Sequence, residues 1–335
     1  MLLVAIGWLL ASPSTGFLAG SLYAIVGIGP HIEGFTFNGE LAAAVPATAA
    51  VAAALLAWRR SSDRWLLVAG LLGGSAMLMK QSGFDGLAVV AAVALAPRRG
   101  RFRRLALAAA GAVVPLGASA IAGWLSGWHS YWSALVTYHF DASTTASRLT
   151  HLSESLPAAA SDLLPLALPA LLGLWVCRRQ RLQVRLGAVW LAATVVGVNV
   201  GGLYWPHYYV QLLPPLCLLA AVALSRIRRP ALAWATAAVV ALPTLAFLGA
   251  LARASDYQRD RMVKYTLGYE NDERIAGYAR THSSADDSVY ALVSRADFYF
   301  LADRPAAYKP VWRAPQTGTT VLEQKRQALE DRPVG

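Results

Sequence analysis

Arginine residues collect in every second connection between the apolar segments of this chain, and this alternation constrains the fold more than any other feature. The four basic connections contain Arg59, Arg60 and Arg64; Arg98, Arg99, Arg101, Arg103 and Arg104; Arg178, Arg179, Arg181 and Arg185; and Arg226, Arg228 and Arg229. The intervening connections, near residues 29–40, 80–83, 124–161 and 200–208, hold only Lys80 and Arg148. Because cytoplasmic loops retain Lys and Arg, the pattern predicts a polytopic membrane protein whose arginine-poor loops face outward.

The composition agrees with a membrane protein. Hydrophobic residues make up 56% of the 335 residues and charged residues only 15%. We count about ten apolar segments before residue 250, several of them shorter than the ~20 residues that cross a hydrocarbon core. The sequence therefore predicts an all-α, multi-pass protein of the cell (plasma) membrane with about ten transmembrane helices. Since the net charge of +11 is distributed over loops and the region after residue 250, we expect no nucleic-acid partner.

The composition changes abruptly after Leu251, which predicts two domains, a transmembrane domain over 1–250 and a second domain over 251–335. Residues 271–281 have the pattern of an amphipathic helix, 288–294 that of a buried strand, and 297–302 that of a short helix. We expect a small extracytoplasmic α/β domain. It is expected to be incomplete, because the last helical segment is not followed by the strand that a β-α pattern requires.

The connection over 124–162 is too long for a simple link between two spans. Trp128, Trp132 and Leu135 recur at helical spacing, which predicts a helix on the outer membrane surface. The following residues, 142–155, are polar and predict a flexible loop.

The outer-face connections carry few ionisable side chains, so those at helix ends are candidate functional residues. Glu40 follows Asn38-Gly39, and Lys80 lies at a short turn between two apolar segments. The stretch GGLYWPHYYVQLLPP over 201–215 places aromatic and polar side chains ahead of a long apolar run. The alternatives are a helix-end charge that extends to water for Glu40 and Lys80, and an interfacial aromatic belt for the stretch over 201–215.

Three stretches resemble bacterial GT-C-type membrane glycosyltransferases, the group related to protein O-mannosyltransferases and lipid A aminoarabinose transferases. They are LMKQSGFDGL over 78–87, GGLYWPHYYVQLLPPLCLLAA over 201–221, and DERIAGYARTHSSADDSVYALVSRADFYFLADRPAAYKPVW over 272–312. The resemblance implies an enzyme that moves a sugar from a polyprenyl-phosphate carrier to an acceptor at the outer membrane face. The sugar and the acceptor are not specified by these residues.

The resemblance also implies site residues. It makes Glu40 the catalytic carboxylate and assigns substrate binding to a further set, Lys80, Gln81, Tyr204, His207 and Tyr208. A carboxylate would take the proton of the acceptor hydroxyl, and a cation would hold the departing phosphate. Lys80 supplies such a cation, and a divalent metal ion is the alternative. Membrane lipid and the polyprenyl-phosphate-linked donor are the expected partners.

One departure from the family pattern affects the expected activity. Family members carry a catalytic aspartate in their first outer loop, whereas no aspartate precedes Asp63, which lies in a basic loop. The resemblance therefore implies one of three alternatives: the chain is a fragment that lacks the N-terminal portion, its start is misassigned, or it is a derivative that has lost activity. A non-catalytic membrane scaffold is one alternative, favoured by the missing aspartate. A transporter or flippase of lipid-linked substrates is the other, and it predicts internal repeats that the sequence does not show.

Overall fold

The computed structural model describes residues 1–137, 145–176, 181–264, 269–290 and 296–307, and nearly all of them are helical. The chain divides into two compact units, one that ends at Ala250 and one that begins at Leu251. The helices that lie wholly or mostly in the first unit are Leu2–Leu10, Pro13–Val26, Gly39–Arg59, Arg64–Met79, Asp85–Leu95, Arg101–Trp132, Thr145–Val176, Arg181–Val200, Leu213–Leu224 and Pro230–Arg253. Each of them contains one of the apolar segments that the sequence predicts. Two short 3-10 helices, Pro30–Ile32 and Pro206–Leu212, and a π-helical turn, Ser133–Thr137, complete the unit.

Five of the described helices are long and apolar enough to cross a membrane. They are Gly39–Arg59, Arg101–Thr137, Ser147–Trp175, Pro206–Leu224 and Ala231–Arg253. Three others, over Arg64–Met79, Asp85–Leu95 and Arg185–Val200, are apolar but shorter. By length and composition the fold is therefore all-helical and of membrane type, with five candidate spans where the sequence predicts about ten.

The helix Leu213–Leu224 lies at the centre of the first unit, and every one of its residues is buried. A helix that is apolar on all sides avoids water only when other helices surround it. Pro13–Val26 and Thr145–Val176 pack against it most extensively. Gly173 lies directly against the carbonyl oxygen of Leu219, where a Cβ atom would overlap it. The absence of a side chain at Gly173 thus allows the two backbones to approach closely.

The peripheral helices combine small residues on the inner side with large apolar residues on the outer side. Gly70 and Gly111 lie at the contact between Arg64–Met79 and Arg101–Trp132, where each approaches a carbonyl oxygen of the other helix. Val113 and Ile121 on the Arg101–Trp132 helix are each 63% exposed. Such extensive apolar exposure is typical of a surface that faces lipid.

The region between residues 124 and 155 is helical at Trp128 and Trp132, as predicted, but differs from the sequence prediction after Thr145. Gly127 has non-helical torsions, φ 113° and ψ 96°, and the chain continues as a helix beyond it. The Tyr131 hydroxyl lies 2.8 Å from Ser119 Oγ, so this segment folds back along the preceding helix. The predicted flexible loop is wrong from Thr145 onward, since Thr145–Val176 is one helix. Its first turns are polar, but Leu149, Leu152 and Leu156 recur at helical spacing within them.

The second unit contains the helices Asp256–Lys264, Tyr269–Thr281 and Ala296–Ala302. The last two confirm the helices predicted at 271–281 and 297–302. The predicted strand at 288–294 is not shown: Val289 forms an isolated parallel bridge with Ala306, and residues 291–295 lie outside the described part. Within the described residues the unit is therefore helical with one bridge rather than α/β.

Candidate functional site

The basic connections over 59–64 and 98–104 come together at one end of the first unit. Asp63 accepts hydrogen bonds from Arg103 Nη1 at 3.1 Å and from Arg104 Nη1 at 2.9 Å. Arg59 Nε donates to the carbonyl oxygen of Leu9 at 2.7 Å, which brings the end of the first helix to the same place. We call this the arginine end. Because neighbouring helices run in opposite directions, the connections at 33–40 and 80–83 lie at the other end.

Glu40 and Lys80 form an ion pair at that other end. Glu40 lies in the first turn of Gly39–Arg59, which begins after Asn38, and the Asn38 side chain accepts a hydrogen bond from the Leu41 amide at 2.8 Å. Lys80 follows the last residue of Arg64–Met79. Its Nζ lies 2.9 Å from Glu40 Oε1, and the side chains are 23% and 1% exposed. A carboxylate so shielded from water needs a nearby cation, and Lys80 provides one.

His207 completes this cluster and connects it to a second carboxylate. Its Nδ1 lies 3.0 Å from Glu33 Oε2, and its Nε2 lies 3.9 Å from Glu40 Oε2. The first distance is that of a hydrogen bond, whereas the second is an electrostatic contact only. The short 3-10 helix Pro206–Leu212 holds the imidazole here because it precedes the buried central helix. The ring thus lies between two carboxylates.

Glu33 reaches His207 from a strained backbone position. It has φ 49° and ψ 32°, in the left-handed region that residues with a Cβ atom rarely adopt. Its carbonyl oxygen accepts hydrogen bonds from the Thr36 amide at 3.1 Å and from the Thr36 hydroxyl at 2.8 Å, which stabilise the turn. Strain of this kind costs on the order of 1–3 kcal/mol and persists where surrounding contacts determine the conformation.

Tyr208 supplies an aromatic surface beneath the cation. Lys80 Nζ lies 4.5 Å from the centroid of the Tyr208 ring, within the range of a cation–π contact. The His207 and Tyr208 rings are 5.3 Å apart and nearly perpendicular. The structure therefore brings four of the predicted site residues, Glu40, Lys80, His207 and Tyr208, into one cluster, which we call the Glu40 cluster.

Gln81 and Tyr204 point to other partners. Gln81 Nε2 lies 3.4 Å from the carbonyl oxygen of Leu135, at the long limit for a hydrogen bond. The Tyr204 hydroxyl donates to Asn199 Oδ1 at 2.7 Å, and Tyr204 has a left-handed φ of 47°. Both residues flank the Glu40 cluster in sequence, but these hydrogen bonds direct their side chains to residues outside it.

The hydrogen bonding of Glu40 is incomplete. Although Lys80 Nζ is 2.9 Å from Oε1, that oxygen is buried and has no hydrogen bond of acceptable geometry. The contact is thus an ion pair without good hydrogen-bond geometry, and Glu40 Oε1 can still accept a hydrogen bond. A buried acceptor without a hydrogen bond destabilises the fold, and such groups are rare in folded proteins.

The residues do not fit a divalent metal ion. In the described part of the chain, no group of three His, Cys, Asp or Glu side chains has a geometry that could hold one. The Lys80 ammonium also occupies the position beside Glu40 Oε1 that a metal would take. The cation beside Glu40 in this structure is the Lys80 ammonium.

The contacts of Glu33, His31 and Asp162 were not predicted from the sequence. His31 Nδ1 lies 3.0 Å from Asp162 Oδ1, in a second histidine–carboxylate pair beside the first. The partners of both pairs are separated by more than a hundred residues in the sequence, and no local pattern signals such a contact.

The chain was also compared with known proteins. No family model, no curated protein and no solved structure matches it. A function must therefore be argued from the chemistry of the site.

Proposed function

We propose that this protein is a membrane glycosyltransferase of the GT-C type, which takes a sugar from a polyprenyl-phosphate carrier at the end opposite the arginines. One observation carries the proposal: Lys80 and His207 converge on the buried Glu40 carboxylate at 2.9 and 3.9 Å. Hydrogen-bond donors with positive charge at the end of a membrane helix bundle are suited to bind the phosphate of a lipid carrier.

Lys80 is the residue that would hold the carrier phosphate. Its side chain is 23% exposed, so the ammonium can reach a ligand while it keeps its contact with Glu40. His207 would add a second donor when both ring nitrogens carry protons, and its side chain is 24% exposed. When the bond between the sugar and the phosphate breaks, negative charge develops on the phosphate, and these groups would stabilise it.

Glu40 has two roles open to it in this proposal. It holds Lys80 and lies close to His207, which positions both donors. The catalytic role expected from the resemblance stays a prediction. Since Glu40 is only 1% exposed, it would take a proton through His207 rather than directly from an acceptor.

The proposal includes the finer topology. The arginine end faces the cytoplasm, the Glu40 cluster faces outward, and the shorter apolar helices join the five candidate spans to give about ten. The second unit is then extracytoplasmic. Support comes from the segregation of Arg59, Arg103 and Arg104 from Glu40 and Lys80 at opposite helix ends.

Binding of the carrier tests the proposal. Full-length protein in lipid nanodiscs is titrated with undecaprenyl phosphate and with undecaprenol, which has the same tail but no charge. We expect the phosphate to bind at least tenfold more tightly, a difference of about 1.4 kcal/mol. Lys80→Gln is expected to abolish this preference. Arg101→Gln removes one charge from the exposed arginine end and is expected to leave it unchanged.

Two outcomes would contradict the proposal. If the unaltered protein binds undecaprenyl phosphate and undecaprenol equally well, the protein does not recognise the phosphate. An equal loss in Lys80→Gln and Arg101→Gln would show that binding depends on general charge and not on the Glu40 cluster.

A further inference from the structure

His31 and Asp162 form a histidine–carboxylate pair outside the Glu40 cluster. His31 belongs to the 3-10 helix Pro30–Ile32, and Asp162 lies within the Thr145–Val176 helix. Asp162 Oδ2 accepts a hydrogen bond from the His31 amide at 2.8 Å, while Oδ1 lies 3.0 Å from His31 Nδ1. The Asp162 side chain is 1% exposed and that of His31 is 40% exposed. A buried carboxylate thus fixes both the backbone and the ring of an accessible histidine.

Asp162 and Ser161 together indicate which ring nitrogen carries the proton. Its hydroxyl donates to the carbonyl oxygen of Ala158 at 2.6 Å, so its oxygen acts as an acceptor toward His31 Nδ1, 2.9 Å away. Nδ1 therefore faces two acceptors, the oxygens of Ser161 and Asp162. Both contacts require a proton on Nδ1, which leaves the lone pair of the neutral imidazole on Nε2.

Nε2 of His31 has no partner among the described residues. His207 differs, because its Nε2 faces Glu40 and its Nδ1 faces Glu33. Of the two histidines, His31 is therefore the one whose basic nitrogen is available to a ligand. It lies two residues before Glu33, on the same segment that contacts His207.

The buried Asp162 carboxylate would stabilise the His31 imidazole when the ring gains a proton. A carboxylate without water around it is stabilised by a positive partner, and the imidazolium would be that partner. Gly29 makes the close contact possible, since a Cβ atom there would lie 2.6 Å from Asp162 Oδ2. A base that is oriented by a carboxylate in this way is suited to general-base catalysis.

We propose that His31, oriented by Asp162, is the general base of this face and takes the proton of the acceptor hydroxyl. This inference rests on the proposed function. In the step, the acceptor O–H proton moves to His31 Nε2 as the acceptor oxygen bonds to the anomeric carbon. The bond between that carbon and the carrier phosphate breaks, and its electron pair leaves with the phosphate toward Lys80. Asp162 is the positioning residue and balances the imidazolium charge.

The first experiment measures the reactivity of His31 Nε2 and does not depend on enzymatic activity. The full-length protein in nanodiscs is treated with diethyl pyrocarbonate, and the modification rate of each histidine is followed by mass spectrometry. We expect His31 to react several-fold faster than His282, an exposed histidine whose Nδ1 contacts the Tyr278 carbonyl oxygen and not a carboxylate. Asp162→Asn should lower the His31 rate and leave the His282 rate unchanged. Equal rates for the two histidines, or no effect of Asp162→Asn, would overturn the assignment.

The second experiment measures transfer. The same preparation is given polyprenyl-phosphate hexoses and pentoses labelled in the sugar, with water and extracted membrane lipids as acceptors. His31→Asn keeps a donor toward Asp162 but removes the base, so we expect transfer to fall about 10²- to 10⁴-fold while undecaprenyl phosphate binding is retained. Unchanged transfer in His31→Asn would overturn the inference.

The two proposals fail in different ways. If the unaltered protein transfers none of the sugars, the proposed function fails, and the modification rates alone decide whether His31 is an activated base. If transfer occurs and His31→Asn has no effect on it, the proposed function stands and the role of His31 is withdrawn.

Discussion

Lys80 Nζ lies 2.9 Å from Glu40 Oε1 and connects the start of one helix to the end of the next. Gly39 provides room for this contact, since a Cβ atom there would lie 3.3 Å from Lys80 Cδ. The carboxylate is nearly inaccessible, whereas the ammonium remains partly exposed. The pair therefore fixes the two helix ends and still presents one charge outward.

We predict strong coupling between these two residues in stability. Lys80→Gln leaves a buried carboxylate without its cation and should cost up to about 3–5 kcal/mol, because an unpaired buried charge is poorly tolerated. The double variant with Glu40→Gln should recover most of the loss. Thermal unfolding in detergent measures the cycle.

The control for this cycle is the exposed pair at the arginine end. Arg103 is 76% exposed and lies 3.1 Å from Asp63, so Arg103→Gln should cost less than about 1 kcal/mol. Additive effects of Lys80→Gln and Glu40→Gln would argue against the ion pair.

A second prediction concerns the contact between Arg64–Met79 and Arg101–Trp132. A Cβ atom on Gly111 would overlap the Leu67 carbonyl oxygen, so Gly111→Ala should separate the helices and cost about 1–3 kcal/mol. Gly117 lies in the same helix, and a Cβ atom there would meet nothing within 4 Å, so Gly117→Ala should be neutral or slightly stabilising. Detergent denaturation of both variants provides the comparison, and equal destabilisation would refute the close packing.

A third prediction tests the orientation. After Cys177→Ser and Cys217→Ala, single cysteines are placed at the exposed positions Ser153, Ser284 and Gly100. An impermeant maleimide added to intact cells should label the first two and not the third, because arginine-rich loops remain in the cytoplasm. Labelling at Gly100 alone would reverse the topology.

A fourth prediction concerns pH and the second unit. The Ser284 amide donates to Asp287 Oδ2 at 2.7 Å, and this hydrogen bond, with the Ser284 side chain and the charge of Arg304, lowers the pKa of Asp287. Since the folded-state pKa is the lower one, the stabilisation is present above the ordinary pKa of about 3.9 and is lost as the pH falls through the folded value. A carboxyl NMR titration of the full chain should show a lowered pKa for Asp287 that rises toward the ordinary value in Ser284→Pro, which has no amide hydrogen. An ordinary pKa in the unaltered chain would contradict the contact.

Much of the helical layout could be read from the sequence because membrane helices are defined by local composition. Every apolar segment up to residue 250 lies in a helix, and two arginines of one basic connection bind Asp63 of another. The same alternation places Glu40, Lys80 and His207 at one end of the helix bundle, where only a few connections are present to contact one another. Their catalytic and binding roles stay predictions.

The pairings within the site could not be read in this way. Glu33 contacts His207, and Asp162 contacts His31, through the packing of segments that are remote in sequence. Glu33 also adopts a left-handed conformation that its residue type does not suggest. The first turns of the Thr145–Val176 helix are polar, and this polarity led to the prediction of a loop although the leucines there have helical spacing.

The enclosure of the Leu213–Leu224 helix has a consequence for how the site can respond to a ligand. His207 and Tyr208 are attached to its beginning, and exchange of its amide hydrogens with solvent requires the surrounding helices to separate. Residues 33–38, by contrast, form no helix, and Phe37 within them is 87% exposed. We therefore expect the segment that carries Glu33, and not the central helix, to adjust when a molecule binds.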